Sequence, residues 1–350
     1  MPNGFGVSKL TKIWGFGMIA VVIPCFKVKG HILGVIARIG PEVDAIYVVD
    51  DCCPEGSGDF VDAHCQDSRV RVLRHATNQG VGGAMITGYQ RAAVDGATVI
   101  VKIDGDGQMD PSDIRRFVHP ILAGKADYTK GNRFFDIEFL ASMPTLRIFG
   151  NAVLSFVSKI SSGYWNVMDP TNGYTAIHGG LIKYLPTEKI DRRYFFESDM
   201  LFRLNVLRAV VVDIPMESVY GDEISNLNIK KVALEFPGKY LSRFAKRLFY
   251  SYFLRDFNFG SVELLFGLLL VMVGAGFGFW HWHLAMLAGV SATSGQVMLA
   301  ALPILVGIQL LVSAIGYDIS SVPKDPVHET LPSILGTNLV RLTKGESHVE

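Results

Sequence analysis

The stretch that decides the fold class of this 350-residue chain is TVIVKIDGDGQ, Thr98–Gln108. Its apolar, β-branched first half predicts a buried strand, and its second half places Asp104 and Asp106 at the tip of that strand. The intervening glycines let both carboxylates turn toward one point and let a ligand approach the backbone. Hard oxygen donors of this kind suit Mg²⁺ or Mn²⁺ bound together with substrate phosphates. The stretch therefore indicates a cation site for a diphosphate, although an acidic turn has the same composition.

The segments that precede this stretch alternate between strand and helix patterns. In chain order they are 19–24 (strand), 32–39 (helix), 45–50 (strand), 61–65 (helix), 70–73 (strand) and 80–94 (helix). This alternation favours an α/β fold with a doubly wound, mostly parallel sheet. In such sheets ligands bind beyond the carboxyl ends of the strands, and four acidic residues lie at such ends: Asp50, Asp51, Asp104 and Asp106. Because like charges repel, a cation or a set of hydrogen-bond donors must lie among them.

A glycine-rich segment, Asn78–Gly83, opens the third predicted helix. Its glycines lack G-x-G-x-x-G spacing and follow the third strand rather than the first, which argues against a nicotinamide dinucleotide site. The start of a helix still offers N–H groups to a phosphate or sugar oxygen. Tight packing of the helix explains the same glycines, so both interpretations stay open.

The apolar residues of the chain are concentrated in two blocks near its C-terminal end. The blocks are Phe259–Trp280 and Val297–Tyr317, and each is nearly free of charge. A length of about 20 residues is enough to cross a bilayer as a helix. Buried core helices have the same composition, but the uncharged linker between the blocks favours a membrane hairpin. Gly274 and Gly278 form a small-residue pair that would let its helices pack closely.

The charges that flank the hairpin predict its orientation. Seven Lys or Arg residues lie between positions 230 and 255, whereas the linker His283–Gln296 has none. Under the positive-inside rule the N-terminal part and the tail face the cytoplasm, and a prokaryotic plasma membrane is the expected location. The whole chain has 33 Lys or Arg and 33 Asp or Glu residues, so its charge gives no reason to expect a nucleic-acid partner. The apolar helices also leave room for homo-oligomerisation.

Four motifs, taken in order and spacing, make the chain recognisable. They are Val22–Pro24, Val48–Asp51, Asn78–Ala84 and Asp104–Gln108. The set resembles the family-2 inverting glycosyltransferases of the GT-A fold, and the closest likeness is to polyprenyl-phosphate (dolichol-phosphate) sugar synthases. The resemblance implies a nucleotide-diphosphate sugar donor, GDP-mannose or a UDP-hexose, and a Mg²⁺ or Mn²⁺ ion held by Asp104, Asp106 and Gln108. It implies the following donor-binding residues: Pro24, Asp50, Asp51, Asn78, Gly80, Gly82, Gly83, Asp104 and Asp106.

The second half of the resemblance concerns the acceptor. Gly131–Arg133, Arg147 with Asn151, and Asp169–Tyr174 resemble the part of these synthases that binds a polyprenyl phosphate. The resemblance implies that Arg133 and Arg147 hold the lipid phosphate, with Asn151 beside them. Planar guanidinium groups bind phosphate oxygens in bidentate fashion, which makes this role chemically reasonable. Tyr220–Ser225 resembles a loop that closes over the nucleotide.

An acidic residue near the start of a helix, Asp199 or Glu197, stands where many members of the family have a general base. A lipid monophosphate is already ionised at neutral pH, because its second pKa is about 6. A base is needed only for a hydroxyl acceptor. Asp199 is therefore expected either to act in catalysis or to position the donor sugar, and capping of the helix is the structural alternative.

These patterns divide the chain into four predicted segments. Residues 1–225 form a cytoplasmic GT-A domain, 226–257 juxtamembrane amphipathic helices, 258–319 two transmembrane helices and 320–350 a cytoplasmic tail. The second segment carries basic residues beside an apolar helical face, namely Lys239, Arg243, Lys246 and Arg247. That pattern is typical of a helix on an anionic leaflet, and packing against the folded domain explains it equally.

The favoured function is a membrane-bound hexosyltransferase that makes a polyprenyl-phosphate sugar. A family-2 transferase that extends a polysaccharide or glycolipid on a hydroxyl would share the donor half. Processive synthases of that kind carry Gln-x-x-Arg-Trp, which this sequence lacks. A non-catalytic membrane scaffold is a further alternative, and the intact Asp104 and Asp106 argue against it.

Overall fold

A computed structural model describes residues 17–135, 145–217 and 229–330, without the side chains of residues 146, 147 and 229–233. Two compact units make up the chain. The first comprises Met1–Arg243 together with Pro323–Glu350, and the second comprises Phe244–Val322.

The first unit is built on one seven-stranded sheet with strand order β3-β2-β1-β4-β6-β5-β7. Its strands are β1 (Ile19–Cys25), β2 (Ala45–Asp50), β3 (Val70–Arg74), β4 (Val99–Lys102), β5 (Tyr128–Asn132), β6 (Thr175–His178) and β7 (Val211–Pro215). Only β6, among these strands, runs antiparallel to its neighbours. β2 and β4 are buried at every position, as expected of apolar runs covered on both faces. The predicted α/β class and mostly parallel sheet are confirmed.

Helices cover the sheet and connect its parallel strands. In chain order they are α1 (Ile32–Arg38), α2 (Ser57–His64), α3 (Val81–Val94), α4 (Ile114–Leu122), α5 (Thr145–Ser162), α6 (Phe196–Val206) and α7 (Ile229–Leu248). One apolar core lies between the sheet and α1 and α4, with Phe117 of α4 stacked on Tyr174 at a ring distance of 4.0 Å.

The register of the sheet brings the motifs to one edge. β1 pairs with β2 so that Cys25 lies opposite Asp50, and it pairs with β4 so that Val22 lies opposite Lys102. The carboxyl ends of these three strands therefore meet at the same edge. Because β6 runs in the opposite direction, its beginning lies at this edge too. The segment Asp169–Tyr174, which precedes β6, is thereby placed beside the end of β4.

Helix α7 begins in the first unit and ends in the second. Lys239 lies 2.6 Å from Asp191, and Arg243 lies 2.5 Å from Asp199. The rings of Tyr240 and Phe195 pack at 4.9 Å. Lys239 and Arg243 are therefore paired with carboxylates of the protein itself. Of the two interpretations of this basic helix, packing against the folded unit holds for the part of α7 that belongs to the first unit.

The second unit contains a π-helical turn, Phe249–Leu254, and two long apolar helices, α8 (Phe259–Ala288) and α9 (Ser294–Ser320). Both helices are long and apolar enough to cross a membrane. In the most apolar 18-residue stretch of each helix, only 17% (α8) and 11% (α9) is buried. A Cβ atom added at Gly274 would lie 2.7 Å from the carbonyl oxygen of Ala300, and one at Gly278 would lie 3.1 Å from the Ala300 side chain. The predicted close packing at these glycines is confirmed.

The chain that follows α9 returns to the first unit. Asp127 has no exposed surface, and its carboxylate accepts the backbone N–H groups of Val210, Val327 and His328 at 2.7, 2.8 and 2.9 Å. The His328 ring contacts the same carboxylate at 2.7 Å and stacks on His178 at 4.2 Å. Residues 327 and 328, at the start of the predicted tail, are thus fixed to the sheet.

Candidate functional site

The candidate site begins where β4 ends, at Lys102, Asp104 and Asp106. The Asp104 side chain is 30% exposed, and Asp106 is half-buried. Oδ1 of Asp106 accepts the backbone N–H of Gln108 at 3.0 Å, which shapes the turn. Gly107 lies in this turn with a φ of +83°, a conformation that favours glycine. Both predicted cation ligands therefore reach solvent from one tight turn.

Lys102 is a buried cation beside these carboxylates. Its Nζ atom lies 3.0 Å from Oδ1 of Asp104 and 3.2 Å from Oε1 of Glu197 on α6, and its side chain is 2% exposed. Burial alone would lower the pKa of Lys102, but the carboxylates of Asp104 and Glu197 raise it above its ordinary value. Lys102 therefore carries a positive charge at neutral pH.

A second buried lysine lies across β6 from the first. Lys102 and Lys130 both pair in register with Thr175. Nζ of Lys130 donates to the carbonyl oxygen of Asn172 at 2.5 Å. Burial lowers the pKa of Lys130 to about 8. The two lysines thus lie behind the edge at which the motifs meet.

Gly173 closes the site from the side of the Asp169–Tyr174 segment. A Cβ atom at this position would lie 2.6 Å from Nζ of Lys102 and 2.7 Å from Oδ2 of Asp104. Real Cβ atoms do not approach other atoms so closely, so any side chain here would displace the ion pair. This close approach favours glycine, because a larger residue would move the ends of both side chains.

The carboxylates at the β4 turn suit a divalent cation that arrives with a diphosphate. No group of three or more His, Cys, Asp or Glu side chains in the described part of the chain is arranged to hold a metal ion. Asp104 and Asp106 offer two carboxylates, and Gln108 an amide oxygen. Mg²⁺ usually binds through one or two carboxylates and completes its shell with water and substrate phosphates. The donor set therefore fits such an ion.

Asp50 and Asp51 are occupied by backbone groups. Asp50 accepts the N–H groups of Cys53 and Gly58 at 2.7 and 2.8 Å, and Asp51 accepts those of Gln79 and Gly80 at 2.8 and 2.7 Å. The expected repulsion on this edge is thus relieved at these two residues by hydrogen-bond donors rather than by a cation. Direct contact of either carboxylate with a donor nucleotide stays a prediction.

The glycines at the start of α3 pack against protein backbone. A Cβ atom at Gly80 would lie 2.5 Å from the carbonyl oxygen of Arg192, and one at Gly82 would lie 2.4 Å from that of Asp191. The N–H group of Gly83 donates to the Arg192 carbonyl at 3.2 Å. Tight packing therefore accounts for these glycines, and a contact of Gly80, Gly82 or Gly83 with the donor stays a prediction.

Two further predicted donor residues lie nearby. Nδ2 of Asn78 donates to the carbonyl oxygen of Asp51 at 3.2 Å, so its amide joins two loops of the edge. Pro24 is half-buried near the end of β1, opposite Val49. Neither position contradicts a donor contact, and both roles stay predictions.

Arg133 follows β5 and is held by a buried carboxylate. Its Nε and Nη2 atoms donate to Asp169 at 2.7 and 3.0 Å, and Asp169 has no exposed surface whereas the Arg133 side chain is 27% exposed. This bidentate pair fixes the guanidinium at the edge that also carries Asp104. Arg147 and Asn151 lie on α5, where Asn151 is half-buried. The Arg147 side chain and Tyr220–Ser225 lie outside the described residues.

Asp199 is removed from solvent. Its carboxylate accepts the N–H of Asp191 at 2.8 Å and is paired with Arg203 and Arg243 at 3.1 and 2.5 Å, and its exposed fraction is zero. Glu197, two residues earlier in α6 and therefore on the opposite side of the helix, points instead to Lys102. The geometry thus favours Glu197 as the α6 carboxylate that faces the candidate site.

Sequence reasoning missed the roles of Lys102, Asp169 and Gly173. Lys102 could have been noticed as a lone charge inside an otherwise apolar strand, because a buried charge requires a partner. Its partner Glu197 lies 95 positions away, and no local pattern indicates that contact. The pairing of Asp169 with Arg133 is equally remote in sequence.

Comparisons with known proteins agree with this geometry. Residues 20–185 match the description "Glycosyl transferase family 2". The chain is 32% identical to an undecaprenyl-phosphate mannosyltransferase of Micrococcus luteus over 189 residues, which are 53% of this chain and 76% of the relative. It is 31% identical to the UDP-N-acetylglucosamine–dolichyl-phosphate N-acetylglucosaminyltransferase of Methanococcus voltae over 154 residues, which are 44% of this chain and 61% of that relative.

A solved structure shows the same fold. It is glucosyl-3-phosphoglycerate synthase from Mycobacterium tuberculosis in complex with Mn²⁺ and UDP-glucose, which aligns with a TM-score of 0.52 and 18% identity over 70% of this chain and 85% of that one. At this identity the likeness concerns the fold alone. Together with the family match and the relatives of 30% identity or more, the GT-A architecture identifies the chain as a glycosyltransferase that belongs to family 2.

Proposed function

We propose that this enzyme transfers a sugar from a nucleotide-diphosphate sugar to a polyprenyl phosphate, with inversion at the anomeric carbon. The observation that carries the proposal is the edge shared by two solvent-reaching carboxylates, Asp104 and Asp106, and the anchored guanidinium of Arg133. Carboxylates suit a cation on the donor, and a guanidinium suits an anionic acceptor. Two relatives carry names that specify dolichyl and undecaprenyl phosphate acceptors.

The donor side rests on the turn after β4. Asp104, Asp106 and Gln108 would hold Mg²⁺ or Mn²⁺ on the diphosphate of GDP-mannose or a UDP-hexose. When bound, the ion offsets the negative charge that develops on the departing nucleoside diphosphate. The hydrogen bond from Gln108 N–H keeps Asp106 oriented. Pro24, Asn78 and the loops fixed by Asp50 and Asp51 would border the nucleotide.

The acceptor side rests on Arg133, with Arg147 as its proposed companion. Asp169 fixes the planar guanidinium by two hydrogen bonds, so little side-chain freedom is lost when a phosphate binds. Asn151 would complete this site. Holding the lipid phosphate in line with the anomeric carbon contributes several kcal/mol, of the order of the positioning effects in other two-reactant enzymes.

The proposal requires no general base. The acceptor phosphate is ionised at neutral pH, since its second pKa is about 6, and its oxygen attacks the sugar without first losing a proton to the protein. The burial of Asp199 between two arginines agrees with this chemistry. A hydroxyl acceptor would need an accessible base. Asp199 is buried, and Glu197, the other candidate, is paired with Lys102 at 3.2 Å, which together support a phosphate acceptor over a hydroxyl.

The two apolar helices would keep the enzyme at the bilayer that holds the polyprenyl tail. We infer that α8 and α9 cross the membrane as a hairpin and that the basic flank on the α7 side places the catalytic unit in the cytoplasm. Only the phosphate head of the acceptor then has to enter the site. Self-association through these helices stays a prediction.

The function is tested with membranes that contain the full chain. They are incubated with radiolabelled GDP-mannose or UDP-hexoses, undecaprenyl or dolichyl phosphate, and Mn²⁺. Label in the lipid fraction that disappears with EDTA supports the proposal. Label in polymer or glycolipid without added polyprenyl phosphate would instead indicate a hydroxyl acceptor. Absence of any transfer from a full donor panel would refute catalysis and favour a scaffold.

A further inference from the structure

Lys102 occupies a position that the proposed reaction leaves unexplained. It is the last residue of a strand whose other three residues are apolar, and its side chain is 2% exposed. Its ammonium lies between two carboxylates, at 3.0 Å from Asp104 and 3.2 Å from Glu197. These partners are 30% and 13% exposed. The lysine is thus buried on the protein side of the Asp104 carboxylate, which is itself in contact with solvent.

A divalent cation at Asp104 would share that carboxylate with Lys102. The Lys102 ammonium is paired at once with two carboxylates, Asp104 at 3.0 Å and Glu197 at 3.2 Å, so it brings a positive charge to the side chain that would also hold the ion. Two cations at one carboxylate repel each other, and the repulsion is strong where water is excluded. The protein alone therefore offers a free ion a site that is already partly neutralised.

Glu197 gives the lysine a second place to pair. A buried ammonium that loses its only partner is strongly destabilising, but Lys102 would keep Glu197 if Asp104 turned toward an ion. Gly173 closes the same space, since a Cβ atom there would lie 2.6 Å from Nζ of Lys102 and 2.7 Å from Oδ2 of Asp104. The Lys102 ammonium therefore has little space in which to move, and it can only change the carboxylate with which it pairs.

We propose that Lys102 is a positioning residue that competes with the divalent cation for Asp104, and that Glu197 receives Lys102 when the ion binds. This inference rests on the proposed cation role of Asp104 and Asp106. The competition keeps affinity for the free ion low. A donor diphosphate adds the negative charge that compensates for Lys102, so the ion enters with the donor rather than before it.

The test measures binding of Mn²⁺ alone to the purified full chain by electron paramagnetic resonance of the free ion, without nucleotide or lipid. Lys102→Met is expected to bind Mn²⁺ at least tenfold more tightly than the wild type, because the competing charge is gone. Glu197→Gln is expected to bind it at least fivefold more weakly, because Lys102 then depends on Asp104. Lys125→Met, which removes an exposed lysine, is the matched control and should leave the Kd unchanged.

Two further variants keep the test decisive. Asp106→Asn should lose Mn²⁺ binding and so identify the site. Lys102→Met combined with Glu197→Gln removes the ammonium together with the charge of its partially exposed partner. This double variant replaces Lys102→Met if the single variant fails to fold, and it should also bind Mn²⁺ more tightly than the wild type. Thermal unfolding of each variant separates folding from binding.

Unchanged Mn²⁺ affinity in both the Lys102 and the Glu197 variants, or a shift of both in one direction, would overturn the inference if the Asp106 variant still loses the ion. That outcome would leave the proposed function intact. Failure of every variant to bind Mn²⁺, Lys102→Met included, would overturn the cation role itself and this inference with it.

Discussion

The buried carboxylate of Asp127 should control how firmly the chain after α9 is attached. Its two oxygens accept four hydrogen bonds: from the N–H groups of Val210, Val327 and His328, and from the His328 ring. Asp127→Asn keeps the volume of the side chain but replaces one of its two accepting oxygens with an NH₂ group, which then faces hydrogen-bond donors. Two hydrogen bonds to a charged group are lost, at roughly 1.5–3 kcal/mol each. Water hydrates the released N–H groups and offsets part of this loss, so the net cost of releasing the segment is about 2–4 kcal/mol.

Hydrogen exchange followed by mass spectrometry measures this loss at Val327 and His328 directly. A cost of about 2–4 kcal/mol corresponds to an increase in their exchange rate of roughly 30-fold to 1000-fold, at about 1.4 kcal/mol per factor of ten. Asp113→Asn is the matched control, because Asp113 pairs with the exposed Arg116 elsewhere on the unit. Unchanged exchange at residues 327 and 328 in Asp127→Asn would refute the reasoning.

The same attachment should weaken in acid. Burial alone would raise the pKa of Asp127, but hydrogen bonds from His328 and from backbone N–H groups hold it below its ordinary value of 3.8. A depressed carboxyl pKa stabilises the folded state above about pH 4, and this stabilisation is lost as the pH falls through the folded-state pKa. Burial also lowers the pKa of His178 to about 4, so stability already declines between about pH 6.5 and 4. The exchange difference between wild type and Asp127→Asn should therefore be full at pH 7 and shrink below pH 4.

Three further outcomes are expected. Asp106→Ala should abolish transfer to the lipid while thermal unfolding of the protein changes little, since the side chain is half-buried at a turn; near-normal turnover would contradict its cation role. Asp169→Asn should raise the KM for polyprenyl phosphate at least tenfold with little change in the donor KM, because it releases Arg133 from a bidentate pair; equal effects on both constants would argue for general damage. Gly173→Ala should lower kcat at least tenfold, because its Cβ atom would lie 2.7 Å from Oδ2 of Asp104 and would displace the carboxylate proposed to hold the ion; wild-type kinetics in this variant would show that Asp104 can move without cost.

Much of the fold follows from local sequence pattern. The apolar residues of β4 lie in the centre of the sheet, and Asp104 and Asp106 follow the end of this strand, as the sequence pattern predicts. The two apolar blocks form long helices because nothing in them interrupts helical hydrogen bonding except Pro303. These features depend on neighbours within about ten residues, which a single sequence displays.

The features of the site that the sequence does not predict depend on contacts between residues far apart in the chain. Whether Asp50 and Asp51 face a ligand or a loop is decided by backbone groups, and for Asp51 these lie almost thirty positions further along. The pattern of basic residues in α7 is typical of a helix that faces a membrane, but Lys239 and Arg243 form ion pairs with carboxylates more than forty positions away. Charge pattern alone does not distinguish an ion pair from a solvated face.

The insertion of β6 between β4 and β5 has a consequence for how the protein is made. β4 leaves the ribosome more than seventy residues before Thr175, its antiparallel partner, and more than ninety before Glu197, the second carboxylate of its lysine. During that interval the nascent chain carries an open sheet edge with a charge that still lacks one of its partners, and such edges attract other strands. Ribosome-bound chains in which Thr175 has not yet emerged should therefore bind more chaperone than chains in which β7, the partner of β5, has emerged.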